Sequence, residues 1–164
     1  MTKKSSILVT CGTQFPFERL MVMVAGWAVK NPAVTDEIYC QVGPGGKSVE
    51  PIPSSEFLTP EEYNKIITQA DVLVAHAGIG SILSAYEKNI PIIIMPRKSD
   101  LGEHRNNHQA STSREFSARK GVYVANSEKE LHHLLDVRKA LDKPGSTLPE
   151  CLMVNKIRSF IKGN

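Results

Sequence analysis

The chain is poor in the features that most readily place a protein in a class. Its three cysteines, Cys11, Cys40 and Cys151, are odd in number and fall at spacings that fit neither a zinc site nor a redox pair. They read as buried thiols of a reducing compartment. Long hydrophobic runs are missing too. The longest apolar block, "LMVMVAGWAV" from Leu20 to Val29, is about half of what a membrane helix needs. The start, "MTKKSSILVTCGT", carries two lysines but no apolar stretch long enough for a secretory signal. A soluble, cytoplasmic chain is expected, and any work at a membrane requires something else to hold it there. The net charge of +3 is mild, with Lys and Arg scattered rather than striped, so no nucleic-acid footprint is present. No internal repeat, low-complexity tract or linker interrupts the chain.

Several motifs of chemistry are absent as well. Gly78-x-Gly80 is followed by Leu83 where a dinucleotide fingerprint needs a third Gly or Ala, which argues against a nicotinamide-binding oxidoreductase. No G-x-S-x-G nucleophile elbow occurs. "GPGGKS", from Gly43 to Ser48, resembles the end of a P-loop, but the required first glycine falls on Gln41 and "VEPIP" follows in place of a helix. It reads as a surface loop. No D-x-D pair is present to hold a divalent metal at a diphosphate; no metal and no cofactor are expected.

What is present is an alternation. The 164 residues fit one domain with a proper core. "SILVTC" (Ser6 to Cys11) reads as a strand and Phe17 to Lys30 as a helix, although Val22, Val24, Val29 and Gly26 weaken that helix. "EIYCQVG" (Glu37 to Gly43) is a second strand, and "SSEFL" contains a short third. Thr59, Pro60 and Glu62 make a capping box that opens a helix to about Gln69. "DVLVAH" (Asp71 to His76) is a near-continuous apolar strand, the pattern of a sheet covered on both faces. A helix from about Gly80 to Lys88, a strand from Ile90 to Pro96 and a polar helix from about Glu103 to Lys120 follow. "GVYVA" (Gly121 to Ala125) is the last strand. Ser127 with Glu130 opens a helix to about Leu141, on which His132 and His133 read as surface residues, and a final helix runs from about Pro149 to Lys162. The fold class is therefore α/β, a Rossmann-like parallel sheet of about six strands with helices on both faces. Ligands of such folds bind beyond the carboxyl ends of the strands, which directs attention to the loops after Cys11, His76 and Pro96.

In "HAGIGS" the turn starts at the tip of an apolar strand and opens a helix. Gly78 and Gly80 let the backbone turn and clear side chains from a ligand's path. The N–H groups around Gly78 to Ser81 then face outward at the positive end of a helix dipole, a site for an anion and best for phosphate. His76 can add a hydrogen bond or a proton-borne charge. In the first loop, Gly12, Thr13 and Gln14 face the same rim. In the third, "RKSDLGEHRNNHQ", Asn106, Asn107, His108 and Gln109 can read sugar hydroxyls. Each loop alone could be an ordinary turn or helix start; three converging on one sheet edge are harder to dismiss.

"VTCGTQ", "DVLVAHAGIGSIL", "PIIIMPR" and "NNHQ" together resemble the C-terminal, donor-binding half of family 28 glycosyltransferases. The resemblance covers roughly the first three quarters of the chain. It is strongest to stand-alone catalytic subunits, those that add the second N-acetylglucosamine to dolichol-linked glycans and the PssE-like subunits of exopolysaccharide synthesis. It implies one half of a GT-B fold and transfer of a hexose from a UDP-sugar, with inversion, to a lipid-linked acceptor. Thr13 and the turn His76, Ala77, Gly78, Ile79, Gly80 and Ser81 are then the diphosphate contacts. Asn107, His108 and Gln109 contact the transferred sugar, and Phe57 and Leu58 hold the uracil. Many relatives carry a Glu at the position of Ser84 to grip the ribose; here Glu87, one turn on, is the candidate. The family's acceptor site, and usually its base, belong to the other half. A membrane-anchored acceptor-binding subunit is therefore implied as partner, and His76, His104 and His108 are the candidate proton acceptors within this chain. The tail residues Met153, Ile157, Phe160 and Ile161 fall at helical spacing and could pack on the chain's own sheet or dock on that partner. The alternative reading is a non-catalytic enhancer of another transferase.

Overall fold

The strands owe their place to side chains that leave no polar face. In the structure, a computed structural model that describes residues 5–104 and 108–145, β1 (Ile7–Thr10), β4 (Val72–His76) and β5 (Ile92–Met95) occupy the middle of the sheet. β2 (Ile38–Gln41) and the two-residue β3 (Ser54–Ser55) extend it on one side and β6 (Val122–Val124) on the other. All pairings are parallel, and the order is β3-β2-β1-β4-β5-β6. The chain moves outward from β1 in one direction and returns to β4 beside it, so the topological switch point lies between β1 and β4.

Alternation along each strand divides the core in two. Ile7, Val9, Val72, Val74, Ile93 and Met95 pack under α1 (Glu18–Lys30) and α5 (Glu128–Asp136). Leu8, Leu73, Ala75, Ile92 and Ile94 pack on the other face under α2 (Pro60–Gln69), α3 (Ile79–Glu87) and α4 (His108–Phe116). The central strands are thus apolar on both faces up to Thr10 and His76 at the ends of β1 and β4, as expected for a sheet buried on both faces. Ile93 is 0% exposed, and truncating such a residue to Ala costs about 2–5 kcal/mol.

Burial also settles α1, whose β-branched residues and glycine are poor helix formers. Leu20, Met21, Val24, Trp27 and Ala28 are buried on one stripe. The first capping box forms as expected: Glu62 N donates to Thr59 Oγ1 (3.2 Å) and Thr59 N to Glu62 Oε2 (2.9 Å). The second differs by one residue. Ser127 Oγ accepts from Glu130 N, but the Glu130 carboxylate takes the N–H of Asn126 at 2.7 Å.

The largest departure is the polar segment after β5. In place of one helix from Glu103 to Lys120, a 3-10 turn (Ser99–Leu101) precedes α4, which spans His108–Phe116. Glu103 is held in the loop because its carboxylate takes Arg19 and the Lys98 N–H. A 3-10 turn (Pro32–Glu37) joins α1 to β2, and another (Arg138–Ala140) replaces the last turn expected of α5. His132 is not a surface residue: its side chain is 15% exposed and its Nε2 lies 2.8 Å from the Met23 carbonyl. The expected final helix, Pro149 to Lys162, lies outside the described residues. No described helix is long and apolar enough to cross a membrane.

Candidate functional site

Because all strands point the same way, the loops after β1, β4 and β5 end on one edge. They enclose a cleft of about 620 Å3 centred on the switch point, a volume within the usual range for small-ligand sites. Gly12, Thr13 and Gln14 line it from the first loop. His76, Gly78, Ile79, Gly80 and Ser81 line it from the second, and His104 and Gln109 from the third. Leu58 and Glu87 also line it.

Three expected residues are not among the lining side chains, and two more lie outside the described residues. Ala77 is 1% exposed and belongs to the core beneath α3. Phe57 is 53% exposed and off the lining, with its carbonyl accepting from Ser55 Oγ at 2.9 Å. His108 opens α4 on its solvent side, outside the lining, which removes the geometric ground for treating it as sugar contact or base. Asn107 lies outside the described residues, as does Asn106.

His76 is the pivot. Its ring fills the space between two loops, and the glycines exist for it. A Cβ on Gly12 would stand 2.7 Å from His76 Cε1, and one on Gly78 would collide with His76 Nε2. Gly12 also has φ +83, which a side chain resists. Packing against the His76 ring accounts for Gly78, whereas Gly80 is exposed and nothing lies within 4 Å of its would-be Cβ. Burial, then the nearby Arg97 and His104, push His76 down to about 4, so it is neutral at pH 7. Of the two roles expected of it, a hydrogen bond or a proton-borne charge, the neutral ring keeps only the first. Its buried Nδ1 has no hydrogen-bond partner among the described residues.

The N-terminus of α3 faces the same space. Its cap is Gly78, with no side-chain cap bond, so Ser81 does not close the helix end. Ile82 N is the first to bond back, to the Gly78 carbonyl, which leaves the earlier N–H groups for a ligand. Thr10 orders the facing turn, accepting from Gly12 N (3.1 Å) while donating to Gln41 Oε1 (2.9 Å).

Arg97 is the residue that sequence reasoning missed. It stands just after β5, where a basic residue usually reads as surface, yet it is 3% exposed. Its guanidinium donates to the carbonyls of Cys11, Phe15 and Pro16 and sits 4.6 Å from the Phe17 ring centroid. Its backbone N–H donates to Gln109 Oε1 at 3.0 Å, so Gln109 presents its Nε2 donor to a ligand. The second and third loops were legible from glycines and amides; the arginine that ties the first to the third was not.

At the other end of the cleft, Tyr63 and Asn64 of α2 face Ser84, Glu87 and Lys88 of α3. Burial raises the Tyr63 hydroxyl, while its hydrogen bond with Ser84 acts in the opposite direction. Glu87 lies 3.5 Å from Lys88 Nζ. The two described cysteines are buried and reduced; burial raises both, Cys40 to about 12, which keeps them unreactive thiols.

A parallel sheet with a cleft at its switch point defines a Rossmann-like α/β fold. The sequence profile of the glycosyltransferase family 28 C-terminal domain matches residues 6–150, and the chain belongs to that family. The solution structure of ALG13 is similar at 21% identity and TM-score 0.59, over 88% of this chain and 92% of that one. The calicheamicin glycosyltransferase CalG4 is similar at 14% identity and TM-score 0.56, over 82% of this chain and 33% of that one. The glycosyltransferase of kitacinnamycin is similar at 11% identity and TM-score 0.54, over 84% and 35%. The chain therefore spans nearly all of ALG13 but about a third of the two longer glycosyltransferases, one half of a GT-B fold. No curated protein sequence matches it.

Proposed function

We propose that the chain is the donor-binding, catalytic subunit of an inverting glycosyltransferase. It takes a UDP-sugar and passes a hexose to a lipid-linked acceptor held by a membrane-anchored partner subunit, which keeps it cytoplasmic and peripheral to the membrane. One observation carries this reading. In a family 28 C-terminal domain, the uncapped N-terminus of α3 opens into the switch-point cleft beside neutral His76, with Gly80 leaving the approach clear.

In this reading each lining residue has a role. Gly12, Thr13 and Gln14 on one side and Ile79 to Ser81 on the other bracket the diphosphate. Gln109 Nε2 meets the sugar. Leu58, Tyr63, Ser84 and Glu87 receive the nucleoside. In transfer, an acceptor hydroxyl attacks the anomeric carbon from the face opposite UDP. The bond from that carbon to the β-phosphate oxygen breaks, its electron pair leaves with UDP, and the hydroxyl proton passes to a base. The N–H groups of α3 stabilise the charge that develops on the leaving group. The base comes from the partner, or from His104 within this chain. No bound cofactor is required.

Calorimetry with UDP, ADP and NAD, followed by a screen of UDP-glucuronate, UDP-galactose and UDP-N-acetylglucosamine with the partner present, tests the reading. UDP binding and partner-dependent transfer of one sugar are expected. Binding of NAD but not UDP would end it, and UDP-sugar-independent stimulation of another transferase would favour an enhancer.

A further inference from the structure

A guanidinium as buried as Arg97 must have its donors satisfied. Nη1 donates to the carbonyls of Pro16 (2.6 Å) and Glu103 (3.4 Å), and Nη2 to those of Cys11 (2.9 Å) and Phe15 (2.7 Å). All four terminal hydrogens are thus committed to backbone oxygens. Carbonyls satisfy hydrogen bonds but carry no net charge, so the cation is held without being neutralised. The nearby carboxylate, Glu103, is occupied by Arg19, whose Nε and Nη2 reach its two oxygens at 2.6 and 2.8 Å. Two guanidinium groups therefore share one carboxylate, and an excess positive charge remains in the wall of the cleft.

The geometry points to Arg97 as the fixed counter-charge of the diphosphate: a positioning residue that braces the Cys11–Pro16 loop and supplies a full positive charge from behind it without gripping the ligand. The inference rests on the donor reading above. A cation clamped by its own backbone needs no reorganisation when the ligand arrives or when charge moves onto the leaving group, which is where preorganised electrostatics are worth most. Arg97 is also continuous with the sugar-facing side chain through the Gln109 Oε1 bond. The same charge reaches His76 and opposes its protonation, so the two groups have separate duties, one a fixed charge and the other a neutral donor.

The test is calorimetry of the full chain with UDP and with UMP, which differ by one phosphate. Arg97→Gln should weaken UDP by about 30-fold and UMP several-fold less, the scale of a lost charge-assisted interaction. Glu103→Gln keeps an amide oxygen for Arg19 and Lys98 but removes the carboxylate charge beside Arg97; UDP should then bind about threefold tighter relative to UMP. Arg97→Lys, which keeps the charge and loses the fork, should hold the UDP-to-UMP ratio within about threefold of wild type. Where Arg97→Gln fails to fold, as a thermal melt would show, the other two variants decide. Equal losses for UDP and UMP in Arg97→Gln, a UDP-to-UMP ratio that falls well beyond threefold in Arg97→Lys, or a Glu103→Gln protein with no gain for UDP relative to UMP, would overturn the inference and leave Arg97 a brace. A wild-type chain that binds neither nucleotide would overturn the donor reading and this inference with it.

Discussion

At the scale of single residues the site is organised around His76. The folded chain holds it neutral down to about pH 4 against an ordinary value of 6.5, so between those values the unfolded chain binds a proton that the folded chain refuses. Its contribution is present in full above about pH 6.5 and is lost as pH falls toward 4, by roughly 3 kcal/mol. Urea titrations at pH 7 and pH 4.5 should show that loss, and a His76→Gln variant should lose less over the same range. The two kinds of glycine separate cleanly. Gly78→Ala meets the His76 ring and should lower the melting temperature by several degrees, whereas Gly80→Glu points into open space, should melt near wild type and should abolish UDP binding by block and repulsion. Gln109→Ala should leave UDP affinity nearly intact and weaken the intact UDP-sugar, with a stability cost of about 1–3 kcal/mol for the Arg97 N–H it leaves unpaired; equal loss for both ligands would remove Gln109 from the sugar site. The residue types at the turn were legible in "HAGIGS". The reason for Gly78 was not, because a clash with the His76 ring, two residues earlier, exists only once the turn is folded.

At the scale of elements, local signals held where they were self-contained. Thr59, Pro60 and Glu62 close a capping box within four residues, and the helix starts there; Thr59→Ala should cost about 1 kcal/mol in a chemical melt. The central strands were legible because their apolar runs need no knowledge of neighbours. The segment between β5 and α4 was not. Its composition suits a helix, but Glu103 is claimed by Arg19, distant in sequence, and a long-range ion pair cannot be read from propensity. The same limit hid Arg97, whose acceptors are carbonyls of a loop some eighty residues earlier.

At the scale of the whole molecule, a half GT-B fold leaves one wall of the cleft to be supplied from elsewhere. The account therefore expects little or no transfer by this chain alone, and transfer on addition of the acceptor-binding subunit. Deleting residues from Pro149 onward should break that association while leaving UDP affinity mostly intact, since the site loops lie far upstream; full turnover by the purified chain on a polyprenyl-linked acceptor would sink the two-subunit arrangement. The fold and the three loops were visible in the sequence because a parallel α/β order sends every such loop to one edge; the proposed partner rests on family resemblance alone. The central claim, a UDP site at the switch point, is tested most directly by titrating the isotopically labelled chain with UDP and following its backbone amide resonances. The account predicts saturable shifts concentrated at Gly12 to Gln14, Ile79 to Ser81 and Arg97, lost in Gly80→Glu. Shifts confined to other surfaces, or none at millimolar UDP, would contradict it.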